Sequence, residues 1–378
     1  MAEFSLRQPK LFERLGNIAQ CVIPSQTDPF LLLMELKHQF APQSHGIFYT
    51  PPSLARYVVQ RARRQIIASG KSLEAIDLLE PSVGSGIFVN QWLLQAQIHQ
   101  PQEQALDAIL QRITCIDLSP AAIVVAQFLL CQQFSKRKVP TNKNFRYPFF
   151  AGNTLSAEAH PIYSHLGTQA IPSLDDVLRK RSFDLVIGNP PFASLTRQTD
   201  PWTQALLHGQ LPDPEGSRSY FSIGEKPIVD KKTWLHDDYV KFVRFAQWHA
   251  ERKQLGGVAL VLNSGFISNL SFRGMRHQLW EAFDQLEIVD FGGDQRNYRD
   301  RSDQNVFGIE TGIAALIAHT STLHPHQKTL TRLNGSRAAK LNWRESNTKA
   351  DPSLKVQQEP IRCESPNFRF DRAFQPKN

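Results

Sequence analysis

Short apolar runs alternate with amphipathic segments through the middle of the chain. Residues 53–68 and 238–254 carry apolar side chains at helical spacing, whereas the runs at 75–80, 112–118 and 182–189 are short and bounded by Gly, Pro or polar residues. Alternating strands and helices predict an α/β fold with a doubly wound, mostly parallel sheet. Because ligands of such sheets bind beyond the carboxyl ends of the strands, the residues that directly follow predicted strands are the candidates for function.

The pattern divides the chain into three parts. Residues 1–45 are predicted to form an N-terminal helical segment, and residues 46–322 the main domain. Within that domain, residues 193–236 are polar and rich in turn-forming residues. We expect this inserted loop to be functional or mobile, because so long a loop rarely lies inside a compact domain. Residues 323–378 form a basic, proline-containing tail.

Composition and charge exclude several classes of protein. The 378 residues include four cysteines without a CxxC pair, and no His or Cys cluster has the spacing of metal ligands, so we expect neither a disulfide framework nor a metal site. No secretion signal or membrane-spanning apolar stretch is evident, which favours a cytoplasmic location. The net charge of +8, with much of the excess in residues 324–378, fits a polyanionic partner.

A glycine-containing turn follows the first predicted strand. The sequence PSVGSG places Gly84 and Gly86 where the backbone can turn tightly and approach a ligand, and a helix begins behind them. Asp117 ends the second predicted strand, where its carboxylate can accept hydrogen bonds from ribose hydroxyls. With Glu80, these residues predict an adenosine-containing cofactor, without separating a nicotinamide cofactor from S-adenosylmethionine.

The fourth predicted strand ends in the sequence FDLVIGNPPF. Asn189 offers a side-chain carbonyl acceptor, and the two prolines lack amide hydrogens, which leaves nearby backbone carbonyls free to accept hydrogen bonds. Phe192 adds a flat apolar face that suits stacking. Acceptors on the two hydrogens of a planar amine favour a pyramidal nitrogen and direct its lone pair at an electrophile. The stretch therefore predicts catalysis by positioning and electrostatics rather than by a covalent nucleophile.

Five segments, taken in order, resemble the γ class of DNA adenine-N6 methyltransferases. GIFYTPPSLARYVV (46–59) is similar to their motif X, LLEPSVGSGIFV (78–89) to motif I, CIDLSPAAIVVA (115–126) to motif II, FFAGNTL (149–155) to motif III and NPPF to motif IV. The resemblance implies a Rossmann-like S-adenosylmethionine-dependent methyltransferase fold with a seven-stranded sheet. It also implies methyl transfer to the N6 amine of an adenine flipped out of double-stranded DNA.

Later segments extend the resemblance to the methylase domain of large single-chain restriction–modification enzymes, of the type ISP or type IIG kind. DDYVKFVRFAQ, GGVALVLNSGFIS, FRGMR and NVFGIETGIA carry it, so that it covers roughly residues 44–340. Those relatives have a target-recognition domain after this segment, and the tail is too short to form one. We therefore expect double-stranded DNA and a separate specificity polypeptide as partners, with the chain a truncated or split enzyme.

The resemblance assigns each site residue by its position in a motif. The residues assigned to cofactor binding are Tyr49, Thr50, Pro51, Glu80, Pro81, Gly84, Gly86, Phe88, Asp117, Leu118 and Asn153. Motif X would line the methionine side of the cofactor, motif I its amino-acid moiety and motif II its ribose. Asn153 stands where the family has Asp or Asn near the cofactor adenine, and its amide can both donate and accept hydrogen bonds.

The residues assigned to catalysis are Asn189, Pro190, Pro191 and Phe192. Asn189 and Pro190 would accept hydrogen bonds from the target amine, and Phe192 would stack on the base. Two alternatives stay open. Asn-Pro-Pro-aromatic sequences also occur in protein glutamine-N5 and RNA-base methyltransferases, although those lack the FYTP segment. The second alternative is a catalytically silent subunit, which keeps the fold in order to bind DNA or a partner.

Overall fold

The computed structural model describes residues 50–99, 103–119, 122–123, 125–127, 129–130, 149–156, 174–192, 200–224, 226–228, 235, 237–295, 302–321, 326–343, 353–361 and 370. The predicted N-terminal helical segment (1–45) and Tyr49 lie outside the described residues.

Strands and helices alternate along the described chain. The strands are β1 (Leu78–Glu80), β2 (Ile113–Asp117), β3 (Phe149–Ala151), β4 (Leu185–Gly188), β5 (Ser222–Ile223), β6 (Lys226–Pro227), β7 (Gly257–Asn263), β8 (Gln285–Asp290), β9 (Ile313–His319), β10 (Gln327–Asn334) and β11 (Lys355–Pro360). The α-helices are α1 (Pro52–Ala68), α2 (Ile87–His99), α3 (Glu103–Gln111), α4 (Pro201–His208), α5 (Asp238–Glu251), α6 (Arg273–Ala282) and α7 (Arg337–Asn342).

One large sheet organises the molecule, in the order β11-β10-β8-β9-β7-β4-β1-β2-β3. Strands β3, β2, β1, β4 and β7 are parallel to one another, and β9 runs antiparallel between β7 and β8. The order reverses between β1 and β4, because the chain builds β2 and β3 on one side of β1 and then returns to its other side. The predicted α/β class with a doubly wound, mostly parallel sheet is confirmed.

The sheet has nine strands in the part of the chain that the structure describes, so the predicted count of seven is too low. The two additional strands come from the predicted tail: β10 pairs in parallel with β8 and β11 pairs antiparallel with β10. Without β10, the outer edge of β8 would present unpaired backbone groups. The predicted domain boundary at residue 322 thus falls between β9 and β10 of one continuous sheet.

Two hydrophobic layers cover the faces of the sheet. Helices α1 and α2 bury side chains such as Val58 and Trp92 against one face. Helices α5 and α6 bury side chains such as Phe245 and Met275 against the other. With both faces covered, the central strands are mostly apolar up to their carboxyl ends, as expected of parallel strands in a doubly wound fold.

The inserted segment contains regular structure in its described part, namely α4, a short 3₁₀ turn at Glu215–Ser217 and the β5–β6 hairpin. A buried arginine on α5 anchors it. Arg244 is fully buried, and its guanidinium donates hydrogen bonds to the backbone carbonyls of Arg218, at 3.2 Å, and Glu215. A buried guanidinium needs such acceptors, so the insertion and α5 depend on each other.

Candidate functional site

A pocket lies beyond the carboxyl ends of β1, β2, β3 and β4, where the strand order reverses. Eleven of the predicted site residues line it: Thr50, Glu80, Pro81, Gly84, Phe88, Asp117, Leu118, Asn153, Asn189, Pro190 and Pro191. Pro51, Gly86 and Phe192 are described but are not part of this lining, and Tyr49 is outside the described residues. Residues from all five motifs, X, I, II, III and IV, are therefore brought to one place.

The turn after β1 is held by the carboxylate that ends β2. The amide of Gly84 donates to Oδ2 of Asp117 over 2.8 Å, and the amide of Ser119 donates to Oδ1 over 2.8 Å. Gly84 and Gly86 have φ values of 53° and 77°, which favour glycine. A Cβ on Gly86 would lie 3.1 Å from Cβ of Ala126, so this glycine permits close packing behind the pocket rather than contact with its contents.

Glu80 places a carboxylate almost wholly out of solvent, with 1% of its surface exposed. The amide of Val89, in the first turn of α2, donates to its Oε2 over 3.3 Å. Burial raises the pKa of Glu80 well above its ordinary value, and the nearby charge of Asp117 raises it further, against the lowering effect of the Val89 amide. A cationic group in the pocket would lower the pKa of Glu80 again and keep its carboxylate ionised. The buried carboxylate therefore favours a positively charged ligand.

A buried hydroxyl points to a polar ligand as well. Oγ of Ser85 belongs to the pocket lining, is shielded from solvent and has no hydrogen-bond partner among the described residues. Buried polar atoms are normally hydrogen-bonded, so a ligand that supplies a partner would be stabilised here. Leu118, in contrast, is 68% exposed at the pocket rim, which suits an apolar or planar ligand surface.

The Asn-Pro-Pro step stands directly beside the β1 turn. Gly188 has a φ of 155°, and a Cβ there would come within 3.6 to 3.8 Å of Glu80, Pro81 and Ser82. The hydroxyl of Ser82 donates to the backbone carbonyl of Asn189 over 3.2 Å. Oδ1 of Asn189 is shielded from solvent. The two predicted motifs thus form one wall of the pocket.

The aromatic ring that follows the prolines packs outside the pocket lining. Phe192 lies edge-to-face on Phe307, with ring centroids 6.1 Å apart at 89°. Phe307 belongs to the NVFGIETGIA segment, which Asn305 holds in shape: its Nδ2 donates to the carbonyl of Thr311 over 2.6 Å and its Oδ1 accepts from the amide of Phe307 over 2.8 Å. Phe192 is partly buried and also packs against the core cluster beneath the sheet face of α1 and α2.

The turn after β3 supports the pocket from the other side. Oδ1 of Asn153 accepts from the amide of Leu155 over 2.9 Å, and Oγ1 of Thr154 donates to the carbonyl of Pro81 over 2.6 Å. The Asn153 carbonyl oxygen thus stabilises its own turn, and its amide nitrogen is the group suited to a ligand.

Sequence reasoning missed several lining residues, which are Ser82, Val83, Ser85, Ile87, Gly152, Thr154, Leu155, Asp238 and Phe242. Most are neighbours of predicted residues in the same turns. Asp238 and Phe242 come from α5, and their spacing of four places them on one helical face. The acidic pair Asp237 and Asp238 at the start of this amphipathic helix was the available signal in the sequence. Only the packing of α5 brings the face with Asp238 and Phe242 to the pocket.

A ligand pocket at the switch point of this sheet, lined by glycine turns and an Asn-Pro-Pro step, defines a Rossmann-like methyltransferase fold. Residues 111–297 match the family model described as "Eco57I restriction-modification methylase". The resemblance to the methylase domain of restriction–modification enzymes, stated from the motifs, is thus confirmed over these residues.

Solved structures share the fold at low sequence identity. The cryo-EM structure of a DrdV–DNA complex aligns with a TM-score of 0.69 and 19% identity, over 92% of this chain and 34% of that one. A nuclease-deletion mutant of the type ISP restriction–modification enzyme LlaGI, in complex with a DNA substrate mimic, aligns with a TM-score of 0.67 and 18% identity, over 90% and 32%. The ATP-dependent type ISP restriction–modification enzyme LlaBIII, bound to DNA, aligns with a TM-score of 0.64 and 16% identity, over 84% of this chain and 22% of that one.

The chain spans about a third or less of the length of these enzymes. No curated protein matches the sequence. Within the described ranges, no helix is long and apolar enough to cross a membrane. The same residues contain no group of three or more His, Cys, Asp or Glu that could hold a metal ion.

Proposed function

We propose that this chain transfers a methyl group from S-adenosylmethionine to the N6 amine of an adenine flipped out of double-stranded DNA, as the modification component of a restriction–modification or related defence system. The observation that carries the proposal is the shared wall of the pocket. Ser82, in the predicted cofactor turn, is hydrogen-bonded to Asn189, in the predicted amine-binding step. A methyl donor and a methyl acceptor would therefore meet across a few ångströms.

The pocket suits this cofactor chemically. S-adenosylmethionine supplies an electrophilic methyl group on a positively charged sulfur, and it also carries an ammonium group. The buried carboxylate of Glu80 would stabilise this positive charge, and the cationic ligand would in turn lower the pKa of Glu80. Asp117, whose oxygens already accept two amides, keeps lone pairs for ribose hydroxyls. Leu118, next to Asp117, would also contact the ribose, and the amide of Asn153 would contact the adenine of the cofactor.

Asn189 and Pro190 would act on the target amine. Oδ1 of Asn189 and the carbonyl of Pro190 each accept one of the two N6 hydrogens, which draws the nitrogen lone pair out of conjugation and directs it at the methyl group. Pro191 cannot donate an amide hydrogen, so it does not compete for these acceptors. The Phe192 ring would stack on the flipped base, with Phe307 packed against the same ring.

The partners and location follow from the substrate. The basic excess of the chain would contact DNA phosphates without reading sequence. We propose that a separate polypeptide or segment supplies target recognition, as expected from the motifs. The proposed location is the cytoplasm, where host DNA is accessible.

The test is transfer of label from S-adenosylmethionine to unmethylated genomic DNA, with and without the product of the neighbouring gene. We expect label in N6-methyladenine, and loss of at least about a hundredfold in rate for Asn189→Ala. Asn342→Ala, an exposed residue of α7, is the matched control and should behave as wild type. Label in protein or RNA but not in DNA would overturn the proposal, and so would DNA methylation that persists in Asn189→Ala.

A further inference from the structure

A turn follows β7 on the side of the sheet where the carboxyl ends of the parallel strands form the pocket. Residues 264–272 contain two short 3₁₀ turns, Ser264–Ile267 and Leu270–Phe272, and lead into α6. Because β7 is the parallel neighbour of β4, its carboxyl end stands beside the end of β4, where Asn189 follows. The sequence of this segment, including FRGMR, contributed to the family resemblance but has no part in the site described above.

Contacts connect this segment to both sides of the base-binding region. The ring of Phe272 packs on Tyr239 with centroids 5.9 Å apart, and Tyr239 is the neighbour of Asp238 in the pocket lining. The amide of Ser264 donates to the carbonyl of Gly312 over 2.9 Å, which joins the segment to the loop that bears Phe307. The segment therefore borders the proposed entrance for the target base.

A buried arginine fixes the shape of the turn. Arg276 is fully buried, and its guanidinium donates to the carbonyls of Phe266, at 2.8 Å, and Asn269, at 2.7 Å. The side chain of Asn269 accepts from the amide of Ser271 over 3.0 Å, and Arg273 donates to the carbonyl of Leu270 over 2.9 Å. Burying a guanidinium is unfavourable unless its donors are satisfied, and here Arg276, on α6, donates to two carbonyls that precede Leu270. Arg276 thus holds the residue at its tip in place.

That tip residue is an exposed leucine. Leu270 is 51% exposed, and the neighbouring Asn269 is exposed as well. Of the other exposed large apolar side chains of the described residues, Leu118 lines the rim of the pocket itself, and the remaining three lie elsewhere. Ile67 and Ile98 are near the distal ends of α1 and α2, away from the pocket, and Val356 is on the edge strand β11. A single exposed leucine is ordinary on a protein surface. Leu270 differs in its place, on a turn that Arg276 fixes and that follows β7, the strand next to β4.

We propose that Leu270 is a wedge that enters the base stack of duplex DNA next to the flipped adenine. The inference rests on the proposed function and adds a surface to it. Removing a base from the duplex loses stacking and pairing worth a few kcal/mol, and an apolar side chain that enters the stack offsets part of that loss. The side chain must be held rigidly, because a mobile leucine would turn away from the duplex, and this accounts for the buried Arg276.

The test compares two duplexes that carry the target site, which sequencing of the DNA methylated by the wild-type chain identifies. In one, the target adenine is paired; in the other, it faces an abasic position and leaves the stack readily. We expect Leu270→Ala to methylate the paired duplex about tenfold more slowly, and the abasic duplex within about threefold of wild type. Leu270→Met, which keeps an apolar side chain of similar length, should retain most of the rate. Ile98→Ala, an equivalent truncation at a more exposed site, should have no effect on either duplex.

Affinity for S-adenosylmethionine is measured in parallel and should be the same in all variants, which shows that the pocket is intact. An unchanged rate for Leu270→Ala, or an equal loss on both duplexes, would overturn the wedge and leave the proposed function standing. An equal loss seen only when the neighbouring gene product is present would assign Leu270 to a protein contact and also overturn it. If the wild-type chain methylates no DNA in either arrangement, the proposed function itself fails, and the wedge fails with it.

Discussion

The hydroxyl of Ser82 donates a hydrogen bond to the backbone carbonyl of Asn189 over 3.2 Å, between the turn after β1 and the turn after β4. The two residues are 107 positions apart in the sequence. The bond sets the position of the proposed amine acceptor relative to the proposed methyl donor. Catalysis by positioning depends on such distances, since small displacements of reacting groups lower rates strongly.

Ser82→Ala should therefore lower the rate of methyl transfer more than the affinity for either substrate. We expect kcat to fall about tenfold, with the Kd for S-adenosylmethionine changed less than about threefold. Ser217→Ala removes a hydroxyl that donates to the carbonyl of Pro214 at an exposed turn, and it should leave both quantities unchanged. Single-turnover kinetics and equilibrium binding provide the two measurements. A weakened Kd with an unchanged kcat would assign Ser82 to cofactor binding instead.

Gly86→Ala should destabilise the fold and weaken cofactor binding. The backbone there has a φ of 77°, and the added Cβ would lie 3.1 Å from Cβ of Ala126, so the turn after β1 must shift. Gly70 is a matched control, because its φ is 91° but nothing lies within 4 Å of an added Cβ. We expect a loss of about 2 kcal/mol in the free energy of unfolding for Gly86→Ala and about 1 kcal/mol for Gly70→Ala. Urea denaturation measures the losses, and only Gly86→Ala should raise the Kd for S-adenosylmethionine. Equal losses in the two variants would contradict the packing argument.

His249→Phe should stabilise the protein. Both ring nitrogens of His249 are buried without a hydrogen-bond partner among the described residues, and the ring packs against Phe183, Phe245 and Trp248. Burial lowers the pKa of His249 well below its ordinary value. The folded protein therefore keeps the ring neutral, while the unfolded chain takes up a proton as the pH falls below about 6.5.

Wild type consequently loses stability as the pH falls below that value, and the phenylalanine variant lacks this contribution. We expect His249→Phe to raise the free energy of unfolding by about 1 kcal/mol at pH 8 and by more at pH 5.5. Thermal unfolding followed by circular dichroism measures the difference. His326→Phe serves as the control: it replaces an exposed histidine 3.2 Å from Asp284, and because exposed ion pairs contribute little, we expect little change at either pH. A gain that does not grow toward low pH would contradict the assignment of a buried, neutral ring.

Asp290→Asn should stabilise the protein at neutral pH. Burial raises the pKa of Asp290, at the end of β8, to about 6, although the amide of Gly292 donates to its Oδ1 over 2.9 Å. The folded protein binds a proton between about pH 4 and 6 that the unfolded chain has released, so wild type loses stability as the pH rises through this range. The variant, which stays neutral, should be more stable by about 1–2 kcal/mol at pH 8 and equal to wild type near pH 4. A pH series of urea denaturation curves tests this, and a difference of constant size across the series would refute the titration.

Several parts of this architecture were predictable because their signals are local. Strands β1, β2 and β4 are compact apolar runs, and the residues that follow each run form the site at their common edge. In a doubly wound parallel sheet, the carboxyl ends of the strands are where Glu80, Asp117 and Asn189 come together. Gly84 and Gly86 likewise predicted the tight turn after β1, since such a turn between a buried strand and a helix requires residues that adopt positive φ.

Strands β10 and β11 were not predictable from pattern. The side chains of β11 are mostly exposed, so that it lacks the apolar run or alternation that reveals a strand. Its conformation is set by pairing with β10, which in turn pairs with β8, some forty residues earlier in the chain. Such pairing satisfies backbone hydrogen bonds, and backbone groups are the same in every residue, so the sequence contains little record of it.

By itself, the sequence determined the class of fold, the motifs of the site and the chemistry that these motifs favour, because each depends on residue types at short spacing. The tertiary structure alone decided that Asp238 and Phe242 of α5 complete the pocket, that Phe192 rests on Phe307, and that Arg276 fixes the turn that bears Leu270. These placements result from the packing of helices and turns across the sheet. Contacts between segments distant in sequence depend on shape and burial summed over the whole core, which no local pattern encodes.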